Sequence, residues 1–185
     1  MDDEFLVQTT LNGNKQAFRF LVLRYQKPIF KMLGSLVYDE QMVEEMAQET
    51  FLRAYQSLAG FDPVRASFST WLFTNARNLA LNELEKRKVR LKNASLLLEN
   101  DKSGEPSPEQ ELQSLQTMTS VRAAIRRLPQ DFRLAVVLSC LDGHSISEIA
   151  EIAGCSEGTV KSRIFRGKEL LRGFLQPVLG GNHGK

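Results

Sequence analysis

Between Ser145 and Phe174 the chain carries a pattern that few folds can accommodate. Ser145-Ile146-Ser147-Glu148 is a capping box: a serine oxygen at the helix N-cap, and a glutamate three residues on that reaches back. Ile146, Ile149, Ala150 and Ala153 then recur at helical spacing, so this stretch reads as a short helix. Gly154-Cys155 reads as a tight turn, because glycine accepts a left-handed helix end. Ser156 caps a second helix, in which Val160, Ile164, Gly167, Leu171 and Phe174 share one buried face. Glu157, Lys161, Ser162, Phe165, Arg166 and Lys168 face outward, with only bases in the middle of that face. Helix, turn, basic helix is the outline of a unit that reads duplex DNA. Ala150 and Gly154 are small where the two helices are expected to cross.

The net charge is only +2, but the charges are segregated. Asp39, Glu40, Glu44, Glu45 and Glu49 fall together with no base among them. Arg77, Lys86, Arg87, Lys88, Arg90 and Lys92 form one basic stretch, and the last helix forms another. Separate surfaces for separate partners are one reading, and ordinary solvated helix faces are the other. Two cysteines, Cys140 and Cys155, make no disulfide framework and are expected to behave as small hydrophobes. The acidic start, Met1-Asp2-Asp3-Glu4, is no secretory signal. No run approaches the roughly 18 apolar residues of a membrane span, so a cytoplasmic protein is expected.

Helical periodicity dominates the first half. After Asn12-Gly13-Asn14 an apolar stripe from Ala17 to Leu36 predicts one long helix, which Pro28 should kink or divide. A second helix is predicted from about Glu40 to Leu58. It buries Val43, Met46, Ala47, Thr50, Phe51 and Ala54, and shows Glu44, Glu45, Gln48, Glu49, Leu52 and Arg53 outside. Leu52 gives that acidic face the apolar spot a protein-docking surface wants. Gly60-Phe61-Asp62-Pro63 breaks the pattern, and Ser67 or Ser69 can cap a third helix. Phe61, Phe68, Trp71 and Phe73 crowd together here, and Asn75, Asn78 and Asn82 follow on one face with Trp71. Lys86-Arg87-Lys88 comes next. Aromatics stack on unpaired bases, amides read base edges, and bases neutralise phosphate. Core packing is the alternative for the aromatics. The segment from residue 93 to 110 is polar and carries Pro106 and Pro108, and it reads as a flexible acidic linker. The expected fold is all-α, with two small helical domains at 1–92 and 111–185, the second containing the helix-turn-helix.

Nothing in the chain forms a catalytic set. His144 and His183 are the only histidines, and Cys140 with His144 gives two ligands, too few for a zinc site. No cofactor, metal or small-molecule substrate is expected, and no enzymatic activity.

Three motifs resemble those of the extracytoplasmic-function sigma factors, with the envelope-stress subgroup nearest. They are Gln48-Glu49-Thr50-Phe51-Leu52-Arg53-Ala54-Tyr55, then Phe68-Ser69-Thr70-Trp71-Leu72-Phe73 with Ala76 and Asn78, then residues 158–168 from Gly158 to Lys168. The resemblance implies that Glu45, Gln48, Glu49 and Leu52 dock on core RNA polymerase. It implies a −10 promoter site at Arg53, Phe61, Phe68, Trp71, Phe73, Asn75, Asn78, Asn82, Lys86 and Arg87, where the loop from Phe61 captures a flipped base. It implies −35 recognition by Lys161, Ser162, Arg163, Phe165, Arg166 and Lys168, with Ser156 and Glu157 at the helix start. An anti-sigma protein is the implied regulator. Asn75 departs from the family pattern, which has an apolar residue there. A stand-alone helix-turn-helix regulator and a helical adaptor that never touches DNA remain rival readings.

Overall fold

The computed structural model describes residues 1–95, 113–141 and 144–179, and these residues form eight α-helices and no strand. Helix α1 is Asp3–Leu11, α2 Gln16–Leu36, α3 Glu40–Gln56 and α4 Phe68–Ser95. The second half holds α5 Gln113–Arg127, α6 Gln130–Cys140, α7 Ile146–Ala153 and α8 Glu157–Leu179. The caps follow side-chain chemistry. Asp2 accepts from the Phe5 amide, Asp39 from Met42 and Ser67 from Thr70, so Ser67 rather than Ser69 starts α4. The box at Ser145 and Glu148 closes in both directions, and Gly154 takes φ 65° as the left-handed cap.

Pro28 does not divide α2, which continues through it to Leu36. Proline removes one backbone donor, but Leu21, Ile29, Met32 and Leu33 are fully buried on both sides of it. Their burial outweighs one missing hydrogen bond. α1 is fastened to α2 through Asp3, which accepts from Tyr25 Oη and pairs with Arg24.

In the first half, α2 packs on α1, α3 and α4; in the second, α8 packs on α5, α6 and α7. The crossing of α8 over α6 is set by Gly167. A Cβ there would meet Val136 Cγ2 at 2.6 Å. Gly154, expected at a close crossing, is exposed and serves the turn instead. Cys140 also departs from expectation. It is exposed at the end of α6, and Cys155 is half-buried.

The two halves are docked. α4 lies on α7, and α2 on α6. Leu134, Leu138, Ile149, Ile152 and Val160 join Leu21, Met32, Phe73 and Ala80 in one continuous core. The junction is held by a residue the sequence left unremarked. Arg133 is buried and donates to the carbonyls of Ser35 at 2.9 Å, Arg126 at 2.8 Å and Leu128 at 2.7 Å. Ser35 and Arg126 lie in the last turns of α2 and α5 and Leu128 just follows α5, so these are C-terminal acceptors with no helical donor. A cation at that end also suits the helix dipole. Tyr38 adds its ring, 5.2 Å from the Arg133 guanidinium carbon, and its hydroxyl donates to Arg126 O. The linker expected from residue 93 begins inside α4, which runs on to Ser95; residues 96–110 lie outside the described residues.

Replacing Arg133 by methionine keeps bulk but orphans the Ser35 and Leu128 carbonyls and leaves Arg126 O with only the Tyr38 hydroxyl. We expect Arg133→Met to lower unfolding free energy by about 2–4 kcal/mol in a urea titration. A loss within experimental error would show that water replaces the guanidinium without cost.

Candidate nucleic-acid interface

α8 supplies the first surface. Ser156 Oγ accepts from the Thr159 amide at 3.2 Å, and Glu157 pairs with Lys161 at 3.8 Å within the helix. Lys161, Ser162, Phe165, Arg166 and Lys168 are exposed, Phe165 at 65%. Arg166 and Lys168 have no ion-pair or hydrogen-bond partner among the described residues, so their charge faces solvent unneutralised. Arg163 differs from its neighbours. Its side chain turns back to Asp131 at 2.5 Å and to Cys155 Sγ at 3.3 Å. That geometry ties α8 to α6, and Arg163 is not on the outward face.

The second surface lies at the start of α4. Phe61, Phe68 and Trp71 form a three-ring cluster, with centroids 5.3 to 5.8 Å apart. The cluster is layered. Phe68 and Phe73 are buried and touch Tyr25 at 5.8 and 6.4 Å. They support the surface from beneath, which is the core role left open for the aromatics. Phe61 and Trp71 are half-buried at the rim. Asn75 is half-buried and Asn78 and Asn82 are exposed, so the amide stripe with Trp71 is present. Asn78 accepts from Arg77 at 3.2 Å. Lys86 pairs with Glu83 at 3.4 Å, while Arg87 is exposed. The loop between Phe61 and Ser67 is folded by Asp62, which accepts from the Val64 amide at 3.0 Å. Val64 and Arg65 stand out into solvent at its tip.

The third surface is the acidic face of α3. Glu45 and Gln48 are exposed, Glu49 is half-buried, and Leu52 stands 51% exposed beside them. Arg53 pairs with Glu49 at 2.6 Å.

Between the two halves lies Glu148. One carboxylate oxygen accepts from Ser67 Oγ at 3.0 Å and Thr70 Oγ1 at 3.1 Å, and the other from Ser145 N and Oγ. Partial burial pushes the Glu148 carboxyl up, but the donors from Ser145, Ser67 and Thr70 outweigh it and hold it below the ordinary range. His144, edge-on to Phe73 at 4.5 Å, is lowered by burial, against the opposing charge of Glu148. At the other end of α7, Arg77 lies against Gly154, 3.6 Å from where a Cβ would be. The capping box made Glu148 legible as a cap. Its second role, across the halves, has no sequence signal.

The family comparisons match these units one for one. The profile of Sigma-70 region 2 matches residues 21–90, and that of Sigma-70, region 4 matches residues 118–171. The chain is 36% identical to the RNA polymerase sigma-H factor of Pseudomonas aeruginosa, over 96% of this chain and 95% of that one. It is 34% identical to the ECF RNA polymerase sigma-E factor of Haemophilus influenzae (97% and 98%) and 35% identical to that of Escherichia coli (97% and 97%). The chain belongs to the sigma-70 family of RNA polymerase sigma factors, in its extracytoplasmic-function group. The fold agrees with the sigma factor RpoE of Bartonella quintana, solved in complex with the anti-sigma factor NepR. The TM-score is 0.70 at 24% identity, covering 86% of this chain and 96% of that one. CnrH, solved with the cytosolic domain of CnrY, matches at the same TM-score and identity over 95% and 97%. No described helix is long and apolar enough to cross a membrane.

Both shifted groups favour folding in one direction of pH. His144 is neutral more readily in the folded chain, so stability falls as pH drops through about 6.5. Glu148 is ionised more readily when folded, so a further loss follows as pH drops through about 4.5 and below. Urea midpoints measured from pH 8 to 4 should show the first loss in the wild type and not in His144→Phe. A midpoint that holds level to pH 5 in the wild type would contradict this.

Proposed function

We propose that this chain is a non-catalytic initiation factor that gives core RNA polymerase its promoter specificity. The observation that carries the reading is the outward face of α8, where Arg166 and Lys168 stand exposed and unpaired directly after a glycine turn. α8 enters the −35 major groove through Lys161, Ser162, Phe165, Arg166 and Lys168. The face of Trp71, Asn78 and Asn82 with the Phe61 loop engages the −10 element. The α3 face at Glu45, Gln48, Glu49 and Leu52 docks on polymerase. Promoter opening is driven by binding. Flipping a base costs a few kcal/mol, and stacking on an aromatic such as the rim of Phe61 and Trp71 returns roughly 1–3 kcal/mol. Phe68 and Phe73 hold that rim in place, and Arg163 holds α8 in place.

The chain acts where polymerase works, in the cytoplasm. Sequestration by an anti-sigma protein belongs to the same reading. Its support is that the fold's solved relative RpoE was captured with NepR.

The docked halves set a condition on this function. The −10 and −35 elements are named for positions about 25 base pairs apart, roughly 85 Å along the duplex at 3.4 Å per pair. Yet α4 and α7 touch through hydrogen bonds of 3.0 and 3.1 Å at Glu148. Both elements can be read together only if the halves part. The chain between Ser95 and Gln113 can extend to roughly 60 Å, which gives it room to do so.

In vitro transcription with core polymerase is the direct test. Arg166→Ala should cost about 1–3 kcal/mol in −35 recognition while leaving polymerase binding unchanged. An adaptor that never meets DNA would show no DNA effect. Fluorophores on the exposed Gln56 and Glu151 should transfer energy efficiently in the free chain and lose that transfer in the promoter complex. Unchanged transfer during promoter-specific transcription would rule out the parting of the halves.

A further inference from the structure

α2 has two apolar faces, and the core uses one. Phe18, Leu21, Ile29, Met32 and Leu33 are buried. On the opposite side Phe20, Leu23 and Phe30 are 50%, 50% and 40% exposed. Large apolar side chains scattered singly over a surface are ordinary and need no partner. These three are not scattered. Positions 20, 23, 27, 30 and 34 step by three and four, the a/d seam of a heptad. Phe20 and Leu23 occupy one a/d pair, Lys27 and Phe30 the next, and Gly34 follows. The seam is roughly 21 Å long from Phe20 to Gly34.

The flanking positions of this register are Arg19, Arg24, Gln26 and Lys31, and α2 contains no acidic residue. Arg24 is committed to Asp3 and to the Met1 carbonyl. Arg19, Lys27 and Lys31 are exposed and have no ion-pair or hydrogen-bond partner among the described residues. α2 cannot roll to hide the seam, since its other face is fixed in the core.

We infer that the outer face of α2 docks an acidic amphipathic helix of another protein. In coiled-coil packing the a and d side chains fill holes in the facing helix, and flanking charges choose the partner by opposite sign. The partner helix carries apolar residues that meet Phe20, Leu23 and Phe30, and Asp or Glu opposite Arg19, Lys27 and Lys31. A second copy of α2 is a poor occupant, because it sets base against base. A polyanion would use the bases and ignore the seam. This face is on a different helix from the α3, α4 and α8 surfaces, and the inference does not rest on the promoter reading.

The probe is a labelled four-heptad peptide with Leu at a and d and Glu at the flanking positions; its control has Lys in place of Glu. Binding to the full chain is followed by fluorescence anisotropy, without DNA or polymerase, so failure here is distinct from failure of the sigma-factor reading. The Glu peptide should bind and the Lys peptide should not. Leu23→Ser and Lys27→Glu, both at exposed positions and both checked for helix content by circular dichroism, should each weaken binding about tenfold or more. Equal binding of the two peptides overturns the proposal, as does either variant that keeps full affinity. Two further results would also overturn it: a concentration-dependent dimer abolished by Leu23→Ser, which assigns the seam to self-association, or phosphatidylglycerol vesicle binding abolished by Leu23→Ser, which assigns it to a lipid surface.

Discussion

The Arg133 guanidinium is the point on which the two halves of this protein converge. It lies on α6, yet its donors go to the end of α2 and the end of α5. A helix end that is buried must find donors for its last carbonyls, and here one side chain serves two such ends. The position of α6 against α2, and with it the placement of the helix-turn-helix on the first bundle, depends on this contact. A buried cation without an acid partner is unusual. It is tolerated because carbonyl dipoles and the Tyr38 ring surround it.

Glu148 is the second such contact and a different kind of compromise. Its carboxylate is needed locally, to close the cap of α7, and its remaining acceptor capacity reaches Ser67 and Thr70 at the start of α4. Local and tertiary demands are met by the two oxygens of one group. In the proposed parting of the halves α7 keeps its cap and α4 keeps Ser67, so neither helix depends on the docked arrangement for its own start. The faces proposed to read DNA lie outside the junction: Asn78, Asn82, Arg166 and Lys168 are exposed while the halves are together.

Much of the interface was legible in order of residues. The capping box, the left-handed Gly154, the Ser156 cap and the outward face of α8 all follow from local spacing, because each depends on residues within one or two helical turns. Arg163 entered the −35 set through the resemblance alone, and the direction of its side chain is decided by Asp131, 32 residues away on another helix. Phe68 and Phe73 read either as core or as stacking platforms, and burial alone separates them from Phe61 and Trp71. Gly167 looked like one more member of an apolar stripe. Its small size has meaning only once Val136 is seen across from it.

The sequence by itself determined the helices, their caps, the segregation of charge into an acidic face and two basic ones, and the family to which the chain belongs. These rest on periodicity and short-range hydrogen bonding, which act along the chain. The tertiary structure alone decided that the halves share one core, that Arg133 and Glu148 join them, and that α2 leaves a heptad seam uncovered. Those outcomes depend on which surfaces meet, and contacts between residues some 80 to 100 apart leave no periodic trace in the order of amino acids.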